Sequence, residues 1–229
     1  MSESEELRAA ERSVAVTTHG RYLVRRPEGP GPFPLLVGFH GYAERAEDML
    51  ARLASLPGSE GRVLVAVQGL HAFYRVKTGE VVASWMTKQN RELAIADNVA
   101  YVARVVAEVR AEVPATSGLV FAGFSQGVAM AFRAAAFAGC GATGVIALAA
   151  DVPPDVAERG LGALPPVLLA RGESDPGYPP HQLEKDLATL RDGGVTVEGV
   201  EFAGGHEWNP AFSARAGEWL QGPTRFGRP

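Results

Sequence analysis

The chain has 229 residues, 46% of them hydrophobic, with 22 basic and 26 acidic side chains for a net charge of −4. That length and apolar content suit one large domain whose core needs no staples, and mild acidity without a Lys or Arg block argues against nucleic-acid or membrane-surface partners. The one cysteine, Cys140, excludes an intrachain disulfide and a paired-cysteine zinc site.

In chain order, the first segment, M-S-E-S-E-E-L-R-A-A-E-R, is acidic and has no apolar stretch of the signal-peptide kind. Residues 1–12 are expected to form a mobile tail, and 13–229 a single domain. No apolar run approaches the roughly 18 residues of a membrane span, so a cytoplasmic location is expected. Ser13–His19 followed by Arg21–Arg25 predicts a hairpin turning at His19-Gly20. Pro34–Phe39 is nearly all apolar, as in a strand buried on both faces. Glu44–Leu56 is predicted helical, with Met49, Leu50, Leu53 and Leu56 inward, and Arg62–Val67 is a second buried strand. Residues 91–113 carry Val99, Val102, Ala103, Val106, Val109 and Val113 at helical spacing, and Pro114 ends the helix. Gly118–Phe124 is strand and Gln126–Ala138 helix. Gly144–Ala149 and Pro166–Ala170 are strands. His181–Arg191 is a helix, Val195–Phe202 the last strand and Asn209–Leu220 the last helix. This alternation predicts parallel strands joined by crossover helices. Only 68–90 leaves room for a small flap, so no large cap domain is expected.

In such sheets functional groups gather at the carboxyl ends of the strands. That rule selects His40–Tyr42, Gln68–His71, Ser125, Asp151, Arg171–Asp175 and Gly204–His206. Among these, Ser125 lies in G-F-S-Q-G, between the strand-like L-V-F-A-G-F and an alanine-rich helix. A bare G-x-S-x-G is weak, but on a strand-to-helix turn it raises a nucleophilic hydroxyl above the sheet. Gly123 and Gly127 leave room for that turn.

A serine nucleophile needs a base, and a histidine usually serves. Only His181 and His206 follow Ser125. His181 reads as a first-turn helix residue, whereas His206 follows the last strand in F-A-G-G-H. The acid should lie between nucleophile and base. Asp175 is favoured over Asp151, because the acid usually sits one strand before the histidine; Glu173 is a third candidate. The oxyanion donors are expected to be the backbone N–H of Gln126 and that of Tyr42, with Gly41 as the alternative. His71, Phe73, Tyr74, Trp85 and Trp208, with Gly41, are expected to line an acyl or alcohol pocket.

With F-H-G at 39–41, G-F-S-Q-G at 123–127, Asp175 at a strand end and G-G-H at 204–206, the sequence resembles an α/β-hydrolase. More narrowly, it is similar to the phospholipase/carboxylesterase family of small esterases related to acyl-protein thioesterases, from about Pro34 to Leu220. The resemblance implies a mostly parallel central sheet of about 7–8 strands with helices on both faces. It implies a serine esterase or thioesterase in which Ser125 is acylated and water releases the acid, with no metal and no organic cofactor. Tyr42-Ala43-Glu44 replaces the Gly-x-Gly-Asp-like turn of many relatives. V-Q-G-L-H-A-F-Y lacks the proline and Trp-Phe-Asp run common in acyl-protein thioesterases. The expected partner is therefore a small-molecule ester, and a homodimer is left open. A non-catalytic binding protein of the same fold is disfavoured because all three roles have an occupant. A peptidase is the other alternative.

Overall fold

Uninterrupted apolar runs, not alternating ones, make the middle of the main sheet. Strands β2 (Phe33–Phe39), β3 (Val63–Val67), β6 (Ala115–Phe124), β7 (Gly144–Leu148) and β8 (Val167–Gly172) are almost wholly buried at their carboxyl ends, as strands covered on both faces must be. The computed structural model describes residues 10–222. Within them the main sheet has seven strands in the order β1-β3-β2-β6-β7-β8-β9, where β1 is Tyr22–Arg25 and β9 is Val197–Phe202. Only β1 runs antiparallel to its neighbour.

Alternate residues of each strand feed two cores. Leu35, Val37, Phe39 and Phe121 face α2 (Arg91–Glu112), α3 (Gln126–Phe137), the short α4 (Pro154–Arg159) and α5 (Pro180–Asp192). Leu36, Leu64, Val120 and Leu168 face α1 (Ala46–Ala54) and α6 (Pro210–Gln221). Each fully buried Leu, Val or Phe in these layers contributes roughly 1.5–3 kcal/mol of transfer free energy. Helices α1 and α6 therefore share one face of the sheet, which matters for the site.

One expectation is corrected, and two elements add detail to the predicted order. The Ser13–His19 arm forms no strand; Tyr22–Arg25 does, and its partner is β3, with Tyr22 opposite Val67. A long-range edge pairing leaves no local signature to distinguish it from a hairpin arm. The 68–90 interval holds a separate two-stranded hairpin, β4 (His71–Tyr74) and β5 (Val81–Ser84), tied to the loop after β2 by a bridge between Glu44 and Ala83. Helix α4 was not anticipated. Of the expected tail, residues 1–9 lie outside the described residues, and 10–12 are exposed without regular structure. Among the described residues, no helix is long and apolar enough to cross a membrane.

Candidate active site

Ser125 sits between β6 and α3 at φ 51° and ψ −123°, a conformation that costs a non-glycine residue on the order of 1–3 kcal/mol. Packing enforces it. The Ser125 N–H donates to the Leu148 carbonyl of β7 at 2.9 Å, and its carbonyl accepts from Val128 N–H at 2.9 Å. The flanking glycines are steric necessities. A Cβ at Gly123 would lie 2.4 Å from the Gly127 carbonyl oxygen, and one at Gly127 would lie 2.1 Å from the Phe39 carbonyl oxygen. Gly127 thus clears the end of β2, which the motif alone does not reveal.

Two strands away, the loops after β8 and β9 are laced together. Glu173 N–H donates to the Phe202 carbonyl and Ser174 N–H to that of Gly204, both at 2.9 Å. Gly172 must be glycine here, since a Cβ would lie 2.3 Å from the Gly205 carbonyl oxygen. This lacing brings His206 over the sheet. Its Nδ1 lies 2.9 Å from Asp175 Oδ2 and its Nε2 lies 2.9 Å from Ser125 Oγ. An ionised Asp175 can only accept, so Nδ1 carries the proton and the Nε2 lone pair faces the serine hydroxyl. The Asp175 side chain has no exposure, and its other oxygen accepts from Gly177 N–H at 2.8 Å. Tyr178 anchors the same loop. Its carbonyl accepts from Arg171 Nε at 2.7 Å and its hydroxyl donates to Asp186 at 2.8 Å. Burial pushes the Asp186 carboxyl above the usual carboxylate range, against the opposing hydrogen bonds from Tyr178 and Val152 N–H. Asp151, Glu173 and His181 are all exposed, and none makes a hydrogen bond to His206 or Ser125.

On the other side of Ser125, Gly41 N–H donates to Glu44 Oε2 at 2.7 Å. The Tyr42 N–H has no hydrogen-bond partner among the described residues, and the next N–H, of Ala43, donates to the Ala83 carbonyl at 3.0 Å. Gln126 opens α3, so its N–H has no intrahelical acceptor. Its side chain is tied down: Oε1 accepts from Trp85 N–H at 3.0 Å and Nε2 donates to the Met86 carbonyl at 3.2 Å. His40 is fully buried. Its Nδ1–H donates to the Gly41 carbonyl at 2.7 Å and its Nε2 accepts from Gly69 N–H at 3.0 Å. Burial lowers its pKa below the ordinary value, so the ring is held neutral as a brace between the β2 and β3 loops.

A cavity of about 340 Å³ opens on Ser125, with Gly41, Tyr42, Phe124, His206 and Trp208 in its wall. Its wall also holds Glu44 and Arg52, which sequence reasoning missed. Arg52 forks onto Glu44 at 2.6 and 2.7 Å, and its guanidinium lies 4.3 Å from the centroid of the Phe124 ring. Burial works to raise the Glu44 pKa, but the Arg52 hydrogen bonds prevail and hold it below the usual range. The sequence carries no signal for the pair, because Glu44 precedes α1, bridged to Ala83, and meets Arg52 only through the fold of the loop. The predicted lining is otherwise corrected. Trp85 is fully buried against Phe39, and its Nε1–H donates to the His40 carbonyl at 2.8 Å; an apolar strand end drew it inward. His71 is exposed on β4 and Phe73 stacks on Tyr42 at 5.7 Å, but neither lines the cavity, because the β4–β5 hairpin stands outside the main sheet. A larger groove of about 940 Å³, between α2, the end of α3 and α4, contains none of the reactive groups. Among the described residues, no group of three or more His, Cys, Asp or Glu is placed to hold a metal ion.

No protein-family model matches the chain, and no curated protein does. Solved structures do. A Bacillus cereus carboxylesterase superposes with a TM-score of 0.70 at 17% identity, covering 87% of this chain and 92% of its own. Esterase PE8 gives 0.68 at 24% identity, over 88% and 97%. Acyl-protein thioesterase 2 of Zea mays gives 0.64 at 19%, over 88% and 98%.

Proposed function

From an α/β-hydrolase fold, we propose that the protein is a serine hydrolase that cleaves carboxylic esters or thioesters of small molecules through an acyl-enzyme. The observation that carries this reading is the unbroken line of hydrogen bonds Ser125–His206–Asp175, 2.9 Å at each link, on a backbone turn that costs free energy to hold. In the proposed reaction the Ser125 hydroxyl passes its proton to His206 Nε2 as Oγ attacks the carbonyl carbon. Asp175 holds the ring in the required tautomer and stabilises the imidazolium. The oxygen of the tetrahedral intermediate accepts from the N–H groups of Gln126 and Tyr42, helped by the positive end of α3. His206 then returns its proton to the departing alcohol or thiol. Water, deprotonated by the same ring, attacks the acyl carbon, and the acid leaves as the ring returns that proton to Ser125 Oγ.

The small cavity, with no cap over it among the described residues, favours a compact substrate. The test is hydrolysis of p-nitrophenyl acetate together with labelling by a fluorophosphonate. The wild type should turn over the ester and take the label at Ser125. Ser125→Ala should lose both. Labelling and turnover both absent in the wild type would leave a non-catalytic binding protein, and turnover retained by Ser125→Ala would remove Ser125 as the nucleophile.

A further inference from the structure

A second cavity, of about 430 Å³, adjoins the first on the α1/α6 face of the sheet and shares Arg52 and Trp208 with it. It runs between Ala51, Ser55 and Pro57 of the α1 side and Pro210, Ser213 and Ala214 of α6. We propose that this groove is the binding site for the alcohol arm of the substrate, and that the arm is apolar. The inference rests on the esterase reading above and adds a substrate class to it.

The polar groups of the groove give the first argument. They form a relay that spends its donors on the protein itself. Trp208 Nε1–H donates to Ser213 Oγ at 3.0 Å, Ser213 Oγ lies 3.0 Å from Ser55 Oγ, and Ser55 Oγ–H donates to the Arg52 carbonyl at 2.7 Å. With Ser55 committed to that carbonyl, Ser213 must be the donor between the two hydroxyls. The Arg52 guanidinium is forked onto Glu44. Asn209 is used at both ends of its amide, accepting from Phe212 N–H at 3.0 Å and donating to the Ala203 carbonyl at 3.1 Å. A polar ligand would have to break these bonds, whereas a hydrocarbon needs only the carbon surface of Trp208, Pro210, Ala51 and Ala214.

Direction gives the second argument. His206 Nε2 must deliver a proton to the leaving oxygen, so the leaving group lies on the His206 side of Ser125. The shared wall begins at Trp208, two residues beyond that histidine.

The test compares two ester series in the wild type and in Ala51→Phe and Ala214→Phe, substitutions on exposed helix surfaces at opposite walls. One series holds the acyl group as acetyl and lengthens a linear alcohol from methyl to hexyl. The other holds the alcohol as methyl and lengthens the acid. In the wild type, kcat/KM should climb about threefold per methylene along the alcohol series. In either variant that climb should flatten, with methyl acetate turned over as in the wild type. A flat alcohol series in an enzyme that cleaves methyl acetate, or a climb that survives both substitutions, overturns the groove and leaves the esterase standing. A climb confined to the acyl series overturns the assignment of the arm. Calorimetric titration of 1-hexanol into the Ser125→Ala protein reads the site without turnover. Binding that both phenylalanines abolish supports it, and its absence overturns it.

Discussion

Asp175 contributes no exposed surface and holds two donors, the His206 ring and the Gly177 N–H. Asparagine would keep the shape but could turn an N–H toward His206 Nδ1, favouring the tautomer whose Nε2 carries the proton. Such a ring cannot accept the Ser125 proton. Asp175→Asn should therefore lower kcat by about 10³–10⁴-fold with an unchanged circular dichroism spectrum; a loss under tenfold would argue against the role. His40 makes a separate prediction about stability. Its folded pKa lies below the ordinary 6.5 because burial disfavours the cation. The unfolded chain then binds the extra proton first. The His40 contribution is complete above 6.5 and declines as pH falls toward the folded value, by at most about 1.4 kcal/mol per pH unit for one proton. Urea midpoints between pH 8 and 5 should fall for the wild type and slope less for His40→Asn. Ser125, His206 and Asp175 could be read from the sequence because each follows an apolar run closed by glycine or a short polar loop. Glu44 and Arg52 could not, since their meaning depends on Phe124 and Gly41, residues distant from Arg52 in the chain.

At the scale of elements, the lacing of two loops sets the position of the histidine. The contact between Gly172 and the Gly205 carbonyl leaves no room for a methyl group, because both partners are backbone. Gly172→Ala should push the His206 loop off the end of β8. Overpacking of this kind costs about 1–3 kcal/mol, and a shift near 1 Å at the base can cost on the order of 100-fold in rate. A lowered melting temperature together with a kcat loss larger than any KM change is the expected result; an unaltered kcat would show that the lacing does not set the ring. The strands and crossover helices were legible because a continuous apolar run bounded by punctuation has few other uses in an alternating pattern. The β1 edge was not, because antiparallel pairing with β3 depends on residues more than forty positions away (Tyr22 opposite Val67). Trp85 misled for a related reason. It sits at a strand end, where functional groups collect, yet β5 belongs to the outlying hairpin and its end turns back into the core behind His40.

For the molecule as a whole, two helical layers must be held in register on one sheet, and the α3 layer includes a buried charge. Arg133 has no exposure, and its guanidinium forks onto Asp155 of α4 at 2.8 and 2.7 Å. The Arg133 hydrogen bonds hold the Asp155 carboxyl below the usual range, against the cost of burial. A carboxyl with a depressed folded pKa stabilises the protein above its unfolded pKa, and that stabilisation is lost as the solution is acidified. Removing the carboxylate instead leaves the guanidinium buried with, among the described residues, the Met86 sulfur near its remaining amino group, at 3.7 Å. Asp155→Ala should cost about 3–5 kcal/mol, the range for breaking a buried pair from one side, read as a lower urea midpoint with an unchanged slope. Adding Arg133→Met should recover much of the loss, because the stranded charge is then gone and the side-chain volume is kept. Asp155 lines no part of the cavity at Ser125, so turnover per folded molecule should match the wild type in both variants. A single substitution costing under 1 kcal/mol, or a double that is worse than the single, would mean that the pair does not join α3 to α4.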